Sequence, residues 1–94
     1  MEKTEATNII EDELAHYRSK SYLELKEMID EDSVVKEVKS ESGQKYQLEI
    51  TALWDDEPNG NVRVIGSVDD TGWRSFLPLN SGFIMSPKGD FIDE

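Results

Sequence analysis

Three neighbouring carboxylates, Asp55, Asp56 and Glu57, are the side chains in this chain whose types best suit metal chemistry. Hard cations such as calcium prefer oxygen ligands, and calcium takes about 6 to 8 of them. The side chains of adjacent residues point apart, however, and the segment lacks the alternating ligands and internal glycine of a calcium loop. The spacing therefore favours an acidic turn, and Asp69 with Asp70 is interpreted in the same way.

No other group of residues forms a catalytic motif. His16 is the only histidine and lies on a predicted helix, where a partly exposed residue is expected rather than a catalyst. The chain has no cysteine, which excludes disulfides and thiolate chemistry. Its serines form no nucleophile elbow, and its isolated glycines form no phosphate-binding loop. We therefore expect no catalytic residue and no cofactor, and we lean against an enzyme.

Net charge and hydropathy limit the classes of partner and the cellular location that we expect. The net charge of −11 repels phosphate backbones and anionic lipids, so we expect neither nucleic acid nor membrane as a partner. Basic protein surfaces and cations are favoured instead. No apolar run approaches the roughly 18 residues of a membrane span, and the first residues lack the pattern of a secretion signal. The predicted location is the cytoplasm.

The candidate interaction surface is the mixed face of a predicted sheet, where apolar and basic side chains alternate with polar ones. It consists of Leu53, Arg63, Ile65, Arg74 and Phe76. An uncovered face of this composition is a candidate for contact with a protein partner. The alternative for the two arginines is that they pair with Glu49 or a loop aspartate, in exposed ion pairs.

The elements that position these residues begin with a strand. From Lys45 to Trp54, apolar and polar residues alternate, which predicts a strand with one dry face. Helices are predicted over residues 8–18, capped by Asn8, and 22–30, capped by Ser21. A single bent helix is the alternative. Ile10, Leu14 and Tyr17 form the apolar stripe that would cover the dry face of the sheet.

Turn residues divide the rest of the chain into short strands. A strand over 34–41 pairs with the strand from Lys45 through a turn at Gly43, and the next reversal falls at residues 55–60. A further reversal at 69–72 leads to a strand over 73–77, and residues 83–92 form a closing hairpin. The predicted fold is a single α+β domain over 1–94. It has a frayed segment at 1–7, a helix or helix pair at 8–30 and an antiparallel meander of four to six strands at 34–94.

Three segments resemble small uncharacterised acidic bacterial proteins. They are 54–60 (WDDEPNG), 64–74 (VIGSVDDTGWR) and 86–91 (SPKGDF). The resemblance covers roughly the C-terminal half and implies no activity and no site residue. The layout of helix followed by meander is also similar to cystatin-like proteins, and layout alone does not imply function.

Together these features predict a non-enzymatic interaction or accessory module that binds a protein, with self-association as one form of it. A small-ligand or divalent-cation binding protein, or a minor enzyme using the loop carboxylates, is the first alternative. Thermal melting with and without calcium or manganese separates this alternative from the module. The second alternative is a mimic of nucleic-acid charge, which requires acidic residues concentrated on one face at duplex-like spacing.

Overall fold

The computed structural model describes residues 3–70 and 79–92. Two helices precede four strands in the described chain. Their bounds are α1 Lys3–Arg18, α2 Tyr22–Ile29, β1 Val34–Lys39, β2 Lys45–Trp54, β3 Val62–Asp70 and β4 Leu79–Met85. The strands form an antiparallel meander in the order β1-β2-β3-β4. The predicted α+β class, with a helix pair on an antiparallel meander, is confirmed.

Helix α1 begins at Lys3, so the predicted start at residue 8 is wrong and residues 3–7 are helical rather than frayed. Asn8 lies inside the helix and does not cap it. The apolar stripe begins one turn earlier than predicted, because Ala6 is fully buried together with Ile10 and Leu14. Because Ala6 is buried against the sheet, the helix extends on the N-terminal side of Asn8, the predicted cap.

Helix α2 is separate from α1, which decides between the two alternatives in favour of a helix pair. Ser21 caps α2 with a complete capping box: its hydroxyl accepts from the amide of Glu24 at 3.2 Å, and the Glu24 carboxylate accepts from the amide of Ser21 at 2.9 Å. The box satisfies amide groups that the first helical turn leaves unpaired. The Tyr22 hydroxyl then donates to the carbonyl of Gly60 at 2.7 Å, which ties this end of α2 to the β2–β3 turn.

The sheet differs from the predicted strands at the end of β1, at the end of β3 and at the start of β4. Strand β1 ends at Lys39 rather than residue 41, and β2 matches its predicted bounds. Asp69 and Asp70 belong to β3, where they pair with Gln47 and Tyr46, so the reversal predicted at 69–72 does not begin at residue 69. The predicted strand over 73–77 lies outside the described residues.

Strand β4 is longer than the predicted arm of the closing hairpin. It begins at Leu79, and its first residues pair with β3. The polar residues Asn80 and Ser81, followed by Gly82, gave no strand signal in the sequence. The hairpin itself is present, because Met85 bridges to Phe91 and the amide of Ile92 donates to the carbonyl of Ile84 at 2.9 Å.

Both helices pack on the same face of the sheet, mainly over β2, β3 and β4. The core between the two layers consists of Ala6, Ile10, Leu14, Tyr17, Leu25, Tyr46, Leu48, Ile50, Ala52, Val62, Val64, Val68, Phe83 and Met85. Trp54 is partly buried against it. Gly66 allows the close approach of α1, since a Cβ there would lie 3.1 Å from Cγ1 of Ile10.

Polar contacts fix the position of α1 across the sheet. Glu5 accepts from the hydroxyl of Ser42 at 3.0 Å, and Glu11 accepts from Ser81 at 2.6 Å. Glu13 is 2.7 Å from the ammonium of Lys36 on β1. Among the described strands β1 and β4 are not paired with each other, so the sheet is open rather than closed into a barrel. Neither described helix has the length and hydropathy needed to cross a membrane.

Candidate interaction surface

The face of the sheet opposite the helices is the candidate site, and we call it the open face. The strand register places its side chains in rows, because directly paired residues point to the same side. Two neighbouring rows form an apolar half: Leu53, Arg63 and Ile84 in one, and Thr51, Ile65 and Gly82 in the other. The next two rows form an acidic half: Val35, Glu49, Ser67 and Asn80 in one, and Glu37, Gln47 and Asp69 in the other.

The apolar half contains a groove of about 560 Å³, to which Ile92 contributes from the closing hairpin. Leu53 is exposed and Ile65 is half-buried, so apolar surface remains accessible to a partner. Gly82 deepens the groove beside Ile65, its pairing partner on β3. A Cβ at Gly82 would lie 2.4 Å from the backbone oxygen of Val64, so only glycine fits this approach without a backbone shift.

Arg63 is held in the apolar half by Asp55. Oδ1 of Asp55 accepts hydrogen bonds from Nε of Arg63 at 3.0 Å and from an Nη atom at 2.6 Å. The arginine side chain keeps 43% of its exposure and that of Asp55 keeps 22%. The pair therefore fixes the guanidinium at the surface and neutralises its charge. For Arg63 this is the alternative that the sequence left open, an ion pair with a loop aspartate.

The acidic half surrounds a smaller groove of about 260 Å³. Its two rows carry three carboxylates, Glu37, Glu49 and Asp69, and no basic residue. Oδ1 of Asp69 is buried and accepts no hydrogen bond from the described residues. Lys39 and Lys45 form a pair at the end of this half, beside the Gly43 turn. The open face thus changes from carboxylate-rich to apolar within four rows.

The loop carboxylates do not gather around one point. Asp55 is engaged with Arg63, while Asp56 and Glu57 are exposed. Within residues 3–70 and 79–92, no three potential ligands of the His, Cys, Asp and Glu types converge. Asp69 and Asp70 pair with the opposite end of β2 from Asp55, so the two acidic segments lie at opposite ends of the sheet. His16 is exposed on α1.

The structure brings together part of the predicted surface. Leu53, Arg63 and Ile65 lie side by side on the open face, since Leu53 pairs with Arg63 and Ile65 follows two residues later. Arg74 and Phe76 lie outside the described residues. Ile84 and Ile92 were missed by sequence reasoning, which assigned them only to a closing hairpin. The signal that would have found Ile84 is its alternation with the buried residues Phe83 and Met85.

A third groove, of about 630 Å³, lies where the α1–α2 corner meets the closing hairpin. Three cations contribute to its lining, Arg18, Lys20 and Lys88. Arg18 is 3.5 Å from Glu11 and stacks over the ring of Phe83, and the ammonium of Lys20 lies over the ring of Tyr17. Two of these cations therefore already have contacts within the chain.

The pKa shifts of Glu5, Glu24 and Tyr17, all in the described helices, each have a structural cause. Hydrogen bonds from Ser40, and also from Ser42 and Tyr46, lower the pKa of Glu5 below its usual value. The amide of Ser21 lowers the pKa of Glu24 through the capping box. Burial raises the pKa of Tyr17, and the charge of Glu13 adds to the shift. None of the three groups lies on the open face, so these shifts belong to the helix layer.

No family model matches this chain, and neither a curated protein nor a solved structure matches it. The geometry and charge of the described residues are therefore the basis for inferring a function.

Proposed function

We propose that this protein is a non-enzymatic interaction module that binds a basic protein through the open face. The observation that carries the proposal is the composition of that face. A sheet surface that neither described helix covers presents Leu53, Ile65 and Ile84 in adjacent rows, next to rows in which every charge is a carboxylate. Interfaces combine an apolar centre with a polar rim in this way, and complementary charge selects the partner.

The net charge of −11 supports a different, basic protein as the partner rather than a second copy of this chain. Two copies would bring together surfaces of the same sign, and such contact is repulsive. A basic surface would instead meet Glu37, Glu49 and Asp69 while one of its apolar side chains fills the groove beside Ile65. Because Arg63 is neutralised by Asp55, it adds little repulsion to that contact.

The distribution of the carboxylates favours this proposal over a mimic of nucleic-acid charge. Described acidic residues occur on both helices, in the loops at both ends of the sheet and on the open face. A mimic needs them along one face at the spacing of a duplex backbone, about 3.4 Å per phosphate on each strand. The engagement of Asp55 by Arg63 likewise gives no support to a cation site at residues 55–57.

Affinity capture from the source cell, followed by titration with the purified partner, tests the proposal. The test variant carries Leu53→Asp and Ile65→Asp. The matched control is Leu23→Asp, which makes the same kind of change at a leucine that is 67% exposed on α2. In the complex, the two introduced carboxylates would be buried against an apolar side chain of the partner. We expect this to weaken binding by at least about 100-fold.

We expect the captured partner to be basic, to bind in the purified system with strong salt dependence, and to be lost only with the open-face variant. Circular dichroism and thermal melting establish that all three proteins are folded. Equal binding by the wild type and the Leu53→Asp, Ile65→Asp variant would reject this surface. Equal loss with Leu23→Asp would show that the contact is not confined to the open face.

A further inference from the structure

The outer edge of β1 carries backbone groups with no partner in the described sheet. Strand β1 pairs with β2 on one side, and no described strand lies on its other side. The amide of Ser40 donates to the carbonyl of Gln44 at 2.9 Å, in continuation of the β1–β2 register. Hydrogen-bonded pairs alternate along an antiparallel ladder, so Val35, Glu37 and Lys39 direct their N–H and C=O groups outward.

This edge lacks a proline and a bulge, two of the devices that usually prevent strands from pairing there, and Lys39 at its end is the lysine of β1 that remains as a guard. Its six residues contain no proline, and the uninterrupted register with β2 leaves no bulge. Lysine is a common edge guard, but the ammonium of Lys36 is drawn towards α1 by Glu13 at 2.7 Å. Val34 and Val35 are 38% and 53% exposed, which places apolar side chains beside the unpaired backbone.

The charge around β1 selects the chemistry of an added strand. Residues 30–41 contain five acidic residues, Asp30, Glu31, Asp32, Glu37 and Glu41, and only two lysines. One of these lysines, Lys36, is already neutralised by Glu13. On the strand itself Glu37 and Lys39 offset each other, so the negative charge is concentrated at Asp30, Glu31 and Asp32 just before it. These carboxylates favour basic side chains on a segment that runs along the edge.

A second copy of this chain is a poor occupant of the same edge. If two β1 strands pair antiparallel about a twofold axis, both helix layers lie on the same side of the combined sheet. Alternate residues of a strand point to opposite faces, so two directly paired residues must both have even numbers or both have odd numbers. The two registers with the most overlap then place Lys36 opposite its own copy or Glu37 opposite its own copy. Two Glu37 carboxylates directly opposite each other are destabilising, and the net charge of −11 on each copy opposes pairing in either register.

We propose that the edge of β1 accepts an extended, basic segment of a protein partner as an additional strand of the sheet. This inference rests on the proposed interaction function and specifies how the partner is engaged. Main-chain hydrogen bonds to Val35, Glu37 and Lys39 supply the affinity, and the acidic residues of 30–41 select basic side chains. The open face continues onto the added strand, whose side chains extend the row of Val35 and the row of Glu37.

The probes are synthetic eight-residue peptides with blocked ends, titrated against the full chain. The first alternates lysine and valine. The second has the same side chains but is N-methylated at every residue, so it has the same charge and cannot donate backbone hydrogen bonds. The third alternates glutamate and valine and reports the charge preference. Amide hydrogen exchange by NMR locates the contact on the protein.

In the free protein we expect the outward amides of Val35 and Glu37 to exchange fast and the inward amides of Lys36 and Val38 to be protected. The lysine–valine peptide binds and slows exchange at Val35 and Glu37 by at least about tenfold. The N-methylated peptide binds at least about tenfold more weakly, as the loss of one or two hydrogen bonds requires. The glutamate–valine peptide does not bind.

A pair of variants at one position separates the backbone from the side chain. Val35→Pro removes an outward N–H, which an edge strand tolerates, and is expected to weaken binding of the lysine–valine peptide by at least about tenfold. Val35→Thr retains the N–H and stays within about twofold of the wild type. Thermal melting shows whether each variant is folded, and the N-methylated peptide provides the same comparison without any variant.

Equal affinity for the N-methylated and unmodified peptides, or no protection at Val35 and Glu37, would overturn strand addition. Slow exchange of these two amides in the free protein that depends on protein concentration would instead identify a second copy as the occupant. The Leu53→Asp, Ile65→Asp variant should still bind the lysine–valine peptide. Failure of strand addition therefore remains distinguishable from failure of the open face as the partner surface.

Discussion

The two faces of the sheet are built from alternate residues of the same strands, yet they have different roles. On β2, Leu48 and Ile50 are buried beneath the helices, whereas Glu49 and Leu53 point to the open face and are exposed. The backbone is common to both faces, so the difference comes from the side chains and from the helix layer alone. One dry face provides the core of this small fold, and the other is covered by neither of the described helices.

The largest expected effect comes from removing the same side chain on each face. Leu48→Ala deletes a fully buried leucine and should reduce the free energy of unfolding by about 2 to 5 kcal/mol, because lost burial and a cavity both contribute. Leu53→Ala on the same strand should cost less than about 1 kcal/mol. Urea denaturation of both variants gives the comparison, and equal losses would mean that the open face is part of a core.

Overpacking the covered face should have the next largest effect. A Cβ on Gly66 would lie 3.1 Å from Cγ1 of Ile10 and 3.2 Å from Cδ1 of Ile50, so Gly66→Ala should cost about 1 to 3 kcal/mol. Adding Ile10→Val to Gly66→Ala removes Cδ1 of Ile10, which would lie 3.2 Å from the same Cβ. The double variant should therefore lose less than the sum of the single losses measured by denaturation. Strict additivity would place α1 farther from the sheet than described.

The cap of α2 tests whether the helix layer depends on local signals. Ser21→Ala removes the hydroxyl that accepts from the amide of Glu24, and should cost about 1 kcal/mol in urea denaturation. Ser67→Ala, on the open face, is the matched control and should change stability by less than about 0.5 kcal/mol. An equal effect of the two substitutions would remove the capping box as a source of stability.

The smallest effect is a pH dependence at the same cap. The pKa of Glu24 is lowered in the folded state from its usual 4.5 by the amide of Ser21, so its carboxylate stabilises the fold above that pH. This contribution is lost as the pH falls through the lowered folded value. Denaturation of the wild type and Glu24→Gln should therefore show a difference at pH 7 that shrinks as the pH falls below the usual value of 4.5. A difference that is constant with pH would contradict the assignment.

The strict alternation of β2 was enough to predict its bounds and its dry face, because a strand with one covered side must alternate. The capping box of α2 was predicted for a similar reason, since Ser21 and Glu24 act within a single turn. The start of α1 could not be read in this way. It depends on Ala6 meeting the sheet, and an alanine carries too little hydropathy to mark a helix face.

Parts of the candidate surface also depend on tertiary contacts that leave no local signal in the sequence. The alternation around Arg63 and Ile65 showed that they share a face, but the partner of Arg63 depended on how the 55–60 turn presents Asp55. The beginning of β4 was missed because Asn80, Ser81 and Gly82 form a strand only by pairing with β3. The local pattern was therefore enough to predict which residues share a face. The partner of Arg63 and the start of β4 depend on contacts between residues far apart in the sequence.

The difference between the two faces can be measured most directly by thiol labelling, because the chain contains no cysteine of its own. Two single variants suffice: Leu53→Cys on the open face and Val64→Cys on the covered face of the neighbouring strand. The thiol at position 53 should react nearly as fast as in the denatured chain, and the thiol at position 64 at least about 100-fold more slowly, because it requires opening of the fold. Similar rates at the two positions in the folded protein would contradict the account.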